Sequence, residues 1–288
     1  MDRIKFMIDS GSDIPREVAQ ALNIEVVPLY RVIDGELITD YYDFNINEYC
    51  DYLRSCKEIP SSSQPSPEDF FRRYVQFAGE GYDHIICITM AVAGSGTYNS
   101  AELARTMFEE QHPEFKMQIH VVDSWSCSLN MVMEIRLAHR MMEAGAAVHT
   151  ILEELYRVRQ RVRTYYLIDN LEFLIKGGRV SPLKGGIASK LRIKPIVAIK
   201  NGEGSIPANA MGYQNGLNKL ANYFWNDCTE DVELYVSHAG CPEKAQAIVD
   251  KIREKYHNLK YHIFPMLGTM STQSGPDSIG IFYAMDKN

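Results

Sequence analysis

The chain has 288 residues, 45% hydrophobic and 23% charged, a balance that excludes wholesale disorder. Its formal charge of −7 and pI near 5.7 argue against nucleic acid as a general partner. No run of ~18 uncharged apolar residues occurs, so no membrane-spanning helix is expected. Asp2, Arg3, Asp9 and Asp13 interrupt residues 1–30 as no secretory leader is interrupted, so the expected location is the cytoplasm. Six cysteines without a CxxC pair read as reduced thiols rather than as a disulfide framework or a zinc site.

In chain order, the apolar run 4–8 predicts a strand that ends in the polar loop Asp9-Ser10-Gly11-Ser12-Asp13, with Pro15 in the first turn of a helix. Ser66-Pro67-Glu68-Asp69 combines a capping hydroxyl, a first-turn proline and acids suited to a helix N-terminus. Residues 85–88 predict a buried strand, 91–97 a loop and 98–110 a helix. Residues 119–122 predict a third strand ending in Asp123-Ser124, followed by helices over 129–144 and 148–162. Strand, small polar loop and helix in repetition predict a parallel α/β sheet.

After Arg163 the texture changes. Strands are expected at 165–168, 196–199, 232–236, 261–264 and 279–283, and helices at 211–226 and 242–256. A short helix over 171–175 is stopped by Gly177-Gly178. A domain boundary is expected near residue 160, giving two domains, 1–160 and 161–288.

Ligands of open α/β sheets collect at the carboxyl ends of the strands. The loops expected there are rich in hydroxyls: 9–13, Ser61 to Ser66, Gly94-Ser95-Gly96-Thr97, Asp123-Ser124 and Ser271-Thr272-Gln273-Ser274-Gly275-Pro276. Hydroxyls and backbone N–H groups at such junctions hold an anionic head group; they also cap helices and form turns. Catalytic motifs are missing. Ala93 to Thr97 does not match GxSxG, Gly94-x-Gly96 lacks the third glycine of a dinucleotide loop, and His238 reads as structural. Asp9 and Asp13 have no matched third metal ligand and read as braces of their loop. Between residues 157 and 200, eleven basic side chains face only Asp169 and Glu172, a dock for an acidic partner or phosphates, or a solvated face.

The motifs Asp9-Ser10 with Asp13, Ser63-Gln64-Pro65-Ser66-Pro67, Ser95-Gly96-Thr97-Tyr98-Asn99-Ser100-Ala101, Asp123-Ser124, Leu171-Glu172-Phe173-Leu174 with Gly177-Gly178-Arg179, Lys194-Pro195-Ile196 and Gly275-Pro276, in this order, resemble the DegV family of bacterial fatty-acid-binding proteins. The likeness runs from the first strand to the last. It implies an N-terminal parallel-sheet, Rossmann-like α/β domain and a C-terminal α/β domain with a mixed sheet, enclosing a long-chain fatty acid. It implies no catalysis, no cofactor and no metal. The bound acid would be presented to a separate fatty acid kinase and then enter phospholipid synthesis, with at most transient contact with a membrane surface.

The resemblance assigns the carboxylate to Ser62, Ser95 and Gln273. Ser63, Gln64, Gly96, Thr97, Asp9, Ser10 and Ser124 would support the head-group loops, and Arg179, Lys176 and Lys184 would face the partner or its phosphate. Four departures mark this chain. Gln273 replaces the family's usual histidine, and Asp277 a glycine whose replacement brings a carboxylate toward an anionic ligand; Ala91 and Val92 replace serines, and Asn130 a glycine. Gln273 still donates two hydrogen bonds. Sixteen carbons buried at ~0.8 kcal/mol each supply about 10 kcal/mol gross, enough for micromolar binding after ordering costs. The alternative from the same loops is an enzyme or binding protein for a small phosphorylated or carboxylated metabolite.

Overall fold

A computed structural model describes residues 2–33, 35–41, 45–179 and 193–287. The first half contains β1 (Ile4–Asp9), α1 (Arg16–Ala21), β2 (Glu25–Val27), β3 (Tyr30–Ile33), β4 (Glu36–Thr39), α2 (Ile46–Ser55), β5 (Ser61–Ser63) and α3 (Pro67–Gly79). It continues with β6 (His84–Thr89), α4 (Thr97–Gln111), β7 (Gln118–Asp123), α5 (Leu129–Glu143) and α6 (Val148–Val158). The second half adds β8 (Val162–Leu167), α7 (Leu171–Gly177), β9 (Ile193–Lys200), β10 (Glu203–Met211), α8 (Tyr213–Asp227) and β11 (Leu234–His238). It closes with α9 (Pro242–Arg253), β12 (Tyr261–Pro265), α10 (Gly268–Ser274) and β13 (Ile279–Ala284).

Strands β2-β1-β6-β7 form a parallel sheet, as their near-continuous apolar runs require of strands covered on both faces. A six-stranded mixed sheet has the order β10-β9-β8-β13-β11-β12, and β4-β3-β5 form a small antiparallel sheet. Helix α5 touches both larger sheets. Its first turns are buried on every side, so one core joins Ile8 and Ile86, then Val132 and Ile135, then Tyr166, Val197 and Phe282. The opposite face of the six-stranded sheet packs Leu167, Ile196 and Ile281 against Leu220 and Phe224 of α8 and Ile248 of α9. The opposite face of the parallel sheet packs Met7 and Cys87 against Phe70 and Tyr74 of α3 and Ala104 of α4. Alternation along β8 therefore assigns Thr164, Tyr166 and Ile168 to the central layer and Tyr165 and Leu167 to the outer one.

Two sequence expectations are corrected. The segment read as a loop over 271–276 is mostly the helix α10, and Ser61 to Ser63, read as loop, is a strand paired with β3. In α10 the hydroxyls that read as loop chemistry bond back to their own turn: Thr272 Oγ1 donates to Gly268 O at 2.7 Å and Ser274 Oγ to Met270 O at 2.8 Å. Among the described residues of the basic stretch 157–200, Arg157 pairs with Glu154, Lys194 with Asp169, Arg161 donates to Met285 O, and Arg159 lies over Trp125; Lys184, Lys190 and Arg192 are outside the described residues.

Candidate functional site

The loops after β1, β6 and β7 meet at the carboxyl edge of the parallel sheet, fastened by buried carboxylates. Asp9 accepts from Gly11 N–H at 2.9 Å and from Met90 N–H at 2.7 Å, joining the first loop to the second. Ser128 N–H donates to Gly11 O at 2.7 Å, joining the third. Asp13 accepts from the Ser128 hydroxyl and, at 2.6 Å, from Leu267 N–H at the start of α10. Asp40, ion-paired with Arg31 at 3.3 Å, accepts from Thr269 N–H at 2.8 Å. Two aspartates from the first half thus hold the N-terminus of a helix from the second half. A Cβ on Gly268 would lie 2.2 Å from the Asp40 carboxylate, so this close approach requires glycine. Burial raises the Asp9 carboxyl to about 7, Asp40 to about 6 and Asp13 well above the carboxylate range.

At its other end α10 delivers Gln273, whose Nε2 donates to Ser62 Oγ of β5 at 3.2 Å. A Cβ on Gly177 would fall 2.1 Å from Gln273 Oε1, so the amide lies directly on the glycine turn ending α7. Arg179, just past that turn, donates to Gly177 O at 2.6 Å and to Gly94 O at 3.4 Å. A Cβ on Gly96 would lie 2.8 Å from Gln64 Nε2, so the 61–66 and 94–97 segments also touch. The expected group Ser62, Gln64, Gly96, Gln273 and Arg179 therefore converges through contacts among β5, α7, α10 and the loop before α4. Ser95 adjoins Gly94, with its hydroxyl 2.8 Å from that of Thr97.

Beside this polar rim lies an apolar cleft, in whose lining neither Ser62 nor Ser95 is found. Met90, Cys127, Tyr166, Ile168, Leu174, Val197 and Met270 line it. Among the described residues, Arg179 is the one charged side chain in its lining, and it sits at the rim with Gln273 and Gly94. Burial holds Cys127 up to about 12 and Tyr166 well above its usual range, so both are neutral walls.

The other expected residues brace this frame. Ser10 Oγ accepts from Leu29 N–H at 2.9 Å, Ser124 Oγ donates to Ser126 O at 3.1 Å, and Ser63 Oγ reaches Gln64 O at 3.4 Å. Asp277 is not in the cleft lining; its carboxylate pairs with Arg54 at 3.0 Å, so the expected charge conflict with an anion is met by a neighbouring cation. His238 accepts from Cys241 N–H at 3.2 Å, and burial lowers its basicity. Lys176 ends α7 beside the rim. No group of three metal-ligating side chains occurs among the described residues. Sequence reasoning missed the Arg31–Asp40 pair and most of the apolar wall. The wall residues are scattered over β8, α7, β9, α10 and three connecting segments and look like any core residue.

The DegV family model, described as an uncharacterised protein family, matches residues 3–286. A fatty acid-binding protein of Thermotoga maritima is 30% identical over 284 residues, covering 96% of both chains. The solved structure of a DegV lipid-binding protein of Thermotoga maritima matches with a TM-score of 0.88 at 27% identity, covering 99% of both chains. A DegV family protein of Thermus thermophilus, solved in connection with fatty acid binding, also matches at 0.88 and 27% identity, covering 98% of this chain and 99% of that one.

Proposed function

This chain belongs to the DegV family, and from that premise we propose that it binds a long-chain fatty acid in the cleft between residues 1–160 and 161–288 and has no catalytic role of its own. The single observation that carries the reading is an apolar cleft whose one charged lining side chain, among the described residues, is a cation at the rim. The carboxylate lies among Arg179, Gln273, Ser62 and Ser95, and the tail runs inward past Leu174, Tyr166 and Val197. Burial of the methylenes, at ~0.8 kcal/mol each, supplies the affinity. The rim fixes orientation, the guanidinium contributing the charge-assisted bond and the neutral donors the rest. A carboxylate held at the rim is open to a separate kinase, which phosphorylates it for phospholipid synthesis. The alternative, a small phosphorylated or carboxylated metabolite, needs polar groups along the interior, and the lining here is largely aliphatic, aromatic and sulfur.

Organic extraction of purified protein followed by mass spectrometry is expected to release a long acyl chain, and delipidated protein to take up palmitate or oleate saturably. Arg179→Ala is expected to weaken uptake by about tenfold and Ser62→Ala by less, since charged hydrogen bonds exceed neutral ones. Recovery of no acyl chain together with no saturable uptake overturns the reading.

A further inference from the structure

Next to the cleft lies a second, more polar chamber of about 20 Å³, room for about one water-sized group. Ser126 and Ile199 line both. The chamber's interior includes Asn130, 1% exposed, whose Nδ2 donates to Ser126 Oγ at 2.9 Å and to the Thr164 hydroxyl. Its Oδ1 is buried with no hydrogen-bond partner among the described residues. The same holds for Nε of Arg159. That guanidinium is pinned, 3.9 Å over the Trp125 ring and 4.2 Å over the Tyr156 ring, while another of its nitrogens donates to Asp123 O at 2.9 Å. The chamber thus offers one buried acceptor and one buried donor, and leaving either unpaired is costly.

The strands give a ruler. Tyr166 and Thr164 follow one another on one face of β8, with Ile168 just past its end, and Val197 stands opposite Tyr166 and Ile199 opposite Thr164 on β9. From Ile168, which borders α7 and the rim, to Thr164 at the chamber is four residues, about 13 Å of strand. An extended acyl chain longer than this brings its far end to Ser126, Thr164 and Asn130.

We propose that this chamber is a second binding compartment, which takes a hydroxyl carried at the far end of the acyl chain, so that the chain favours ω-hydroxylated over plain fatty acids. A hydroxyl donates to Asn130 Oδ1 and accepts from Arg159 Nε; a methyl does neither, and a carboxylate has no proton for the amide oxygen. The proposal rests on the fatty-acid reading of the cleft.

The test titrates delipidated protein with palmitate and with ω-hydroxypalmitate, for the wild type, Asn130→Gly and Asn130→Leu, and reads the ratio of the two affinities. Asn130→Gly removes the amide without adding bulk and guards against a fold defect in the leucine variant. The ratio is expected to shift against the hydroxylated acid by about tenfold in each variant, the worth of one buried hydrogen bond with its desolvation. Palmitate bound with an unchanged ratio in both variants means that the chamber holds water only, and overturns this inference while leaving the fatty-acid reading intact. Binding of neither acid by the wild type overturns both.

Discussion

Asp277 holds a left-handed backbone, φ 67°, directly after Gly275-Pro276. An L residue pays there for the contact between its Cβ and the backbone, and aspartate tolerates this better than most. Arg54 holds the displaced side chain through Nη2 at 3.0 Å and Nε at 3.2 Å. That pair is about one-third exposed and worth little by itself. Backbone strain, more than charge, should then rank the variants: Asp277→Ala is expected to be less stable than Asp277→Gly by about 1 kcal/mol in denaturant unfolding. An alanine variant as stable as the glycine variant would remove the strain argument. The same residue illustrates a limit of sequence reading, since its charge is visible in the sequence and its partner, 223 positions away, is not.

Helix α3 links the hydroxyl strand β5 to the body of the protein through its cap. Ser66 Oγ accepts from Asp69 N–H at 3.2 Å, and the Asp69 carboxylate accepts from Ser66 N–H at 2.8 Å and from Tyr30 Oη of β3 at 3.1 Å. Ser66→Ala should cost about 1 kcal/mol of unfolding free energy; an unchanged denaturation midpoint would show the box to be redundant. This helix start was legible because cap, proline and acids act within one turn, and β1, β6 and β7 were legible because parallel strands covered on both faces are apolar throughout. The small sheet and β10 were not. In β4 three of four residues are exposed, and β10 alternates exposed and half-buried positions through Gly204, Pro207 and Asn209. Their pairing is set by neighbours rather than by their own pattern. Helix α10 was hidden for a related reason, because buried Ser and Thr read as loop until their hydroxyls are seen bonding to carbonyls one turn back. At the site, the polar rim was recognisable as motifs, whereas the cleft exists only where Leu174, Tyr166, Val197 and Met270 meet.

Across the whole molecule, two carboxylates with almost no access to solvent, Asp13 and Asp40, join the halves, and a third, Asp9, ties together loops of the first half. Burial raises all three, Asp9 to about 7 and Asp40 to about 6 from an ordinary 3.8, so between these limits the folded chain binds more protons than the unfolded one. The contribution of Asp9 and Asp40 to stability is therefore full below about pH 4 and is lost as pH rises through 6 to 7. His238 and His120, lowered by burial, act in the opposite sense and lose their contribution as pH falls through about 6.5. Above that value both histidines are neutral in either state, which leaves Asp9 and the other strongly raised buried carboxyls, Asp13 and Glu134, as groups still able to titrate. Unfolding free energy should thus decline from pH 6.5 to 8, Asp9 contributing a slope of at most about 1.4 kcal/mol per pH unit. Asp9→Asn removes the titration and, by turning an amide toward Gly11 or Met90, also one loop hydrogen bond. It should lower stability throughout and flatten the slope. Denaturant midpoints across this range distinguish the two effects, and a slope unchanged in Asp9→Asn would mean that this carboxylate stays ionised in the folded protein, its two backbone N–H bonds outweighing its burial.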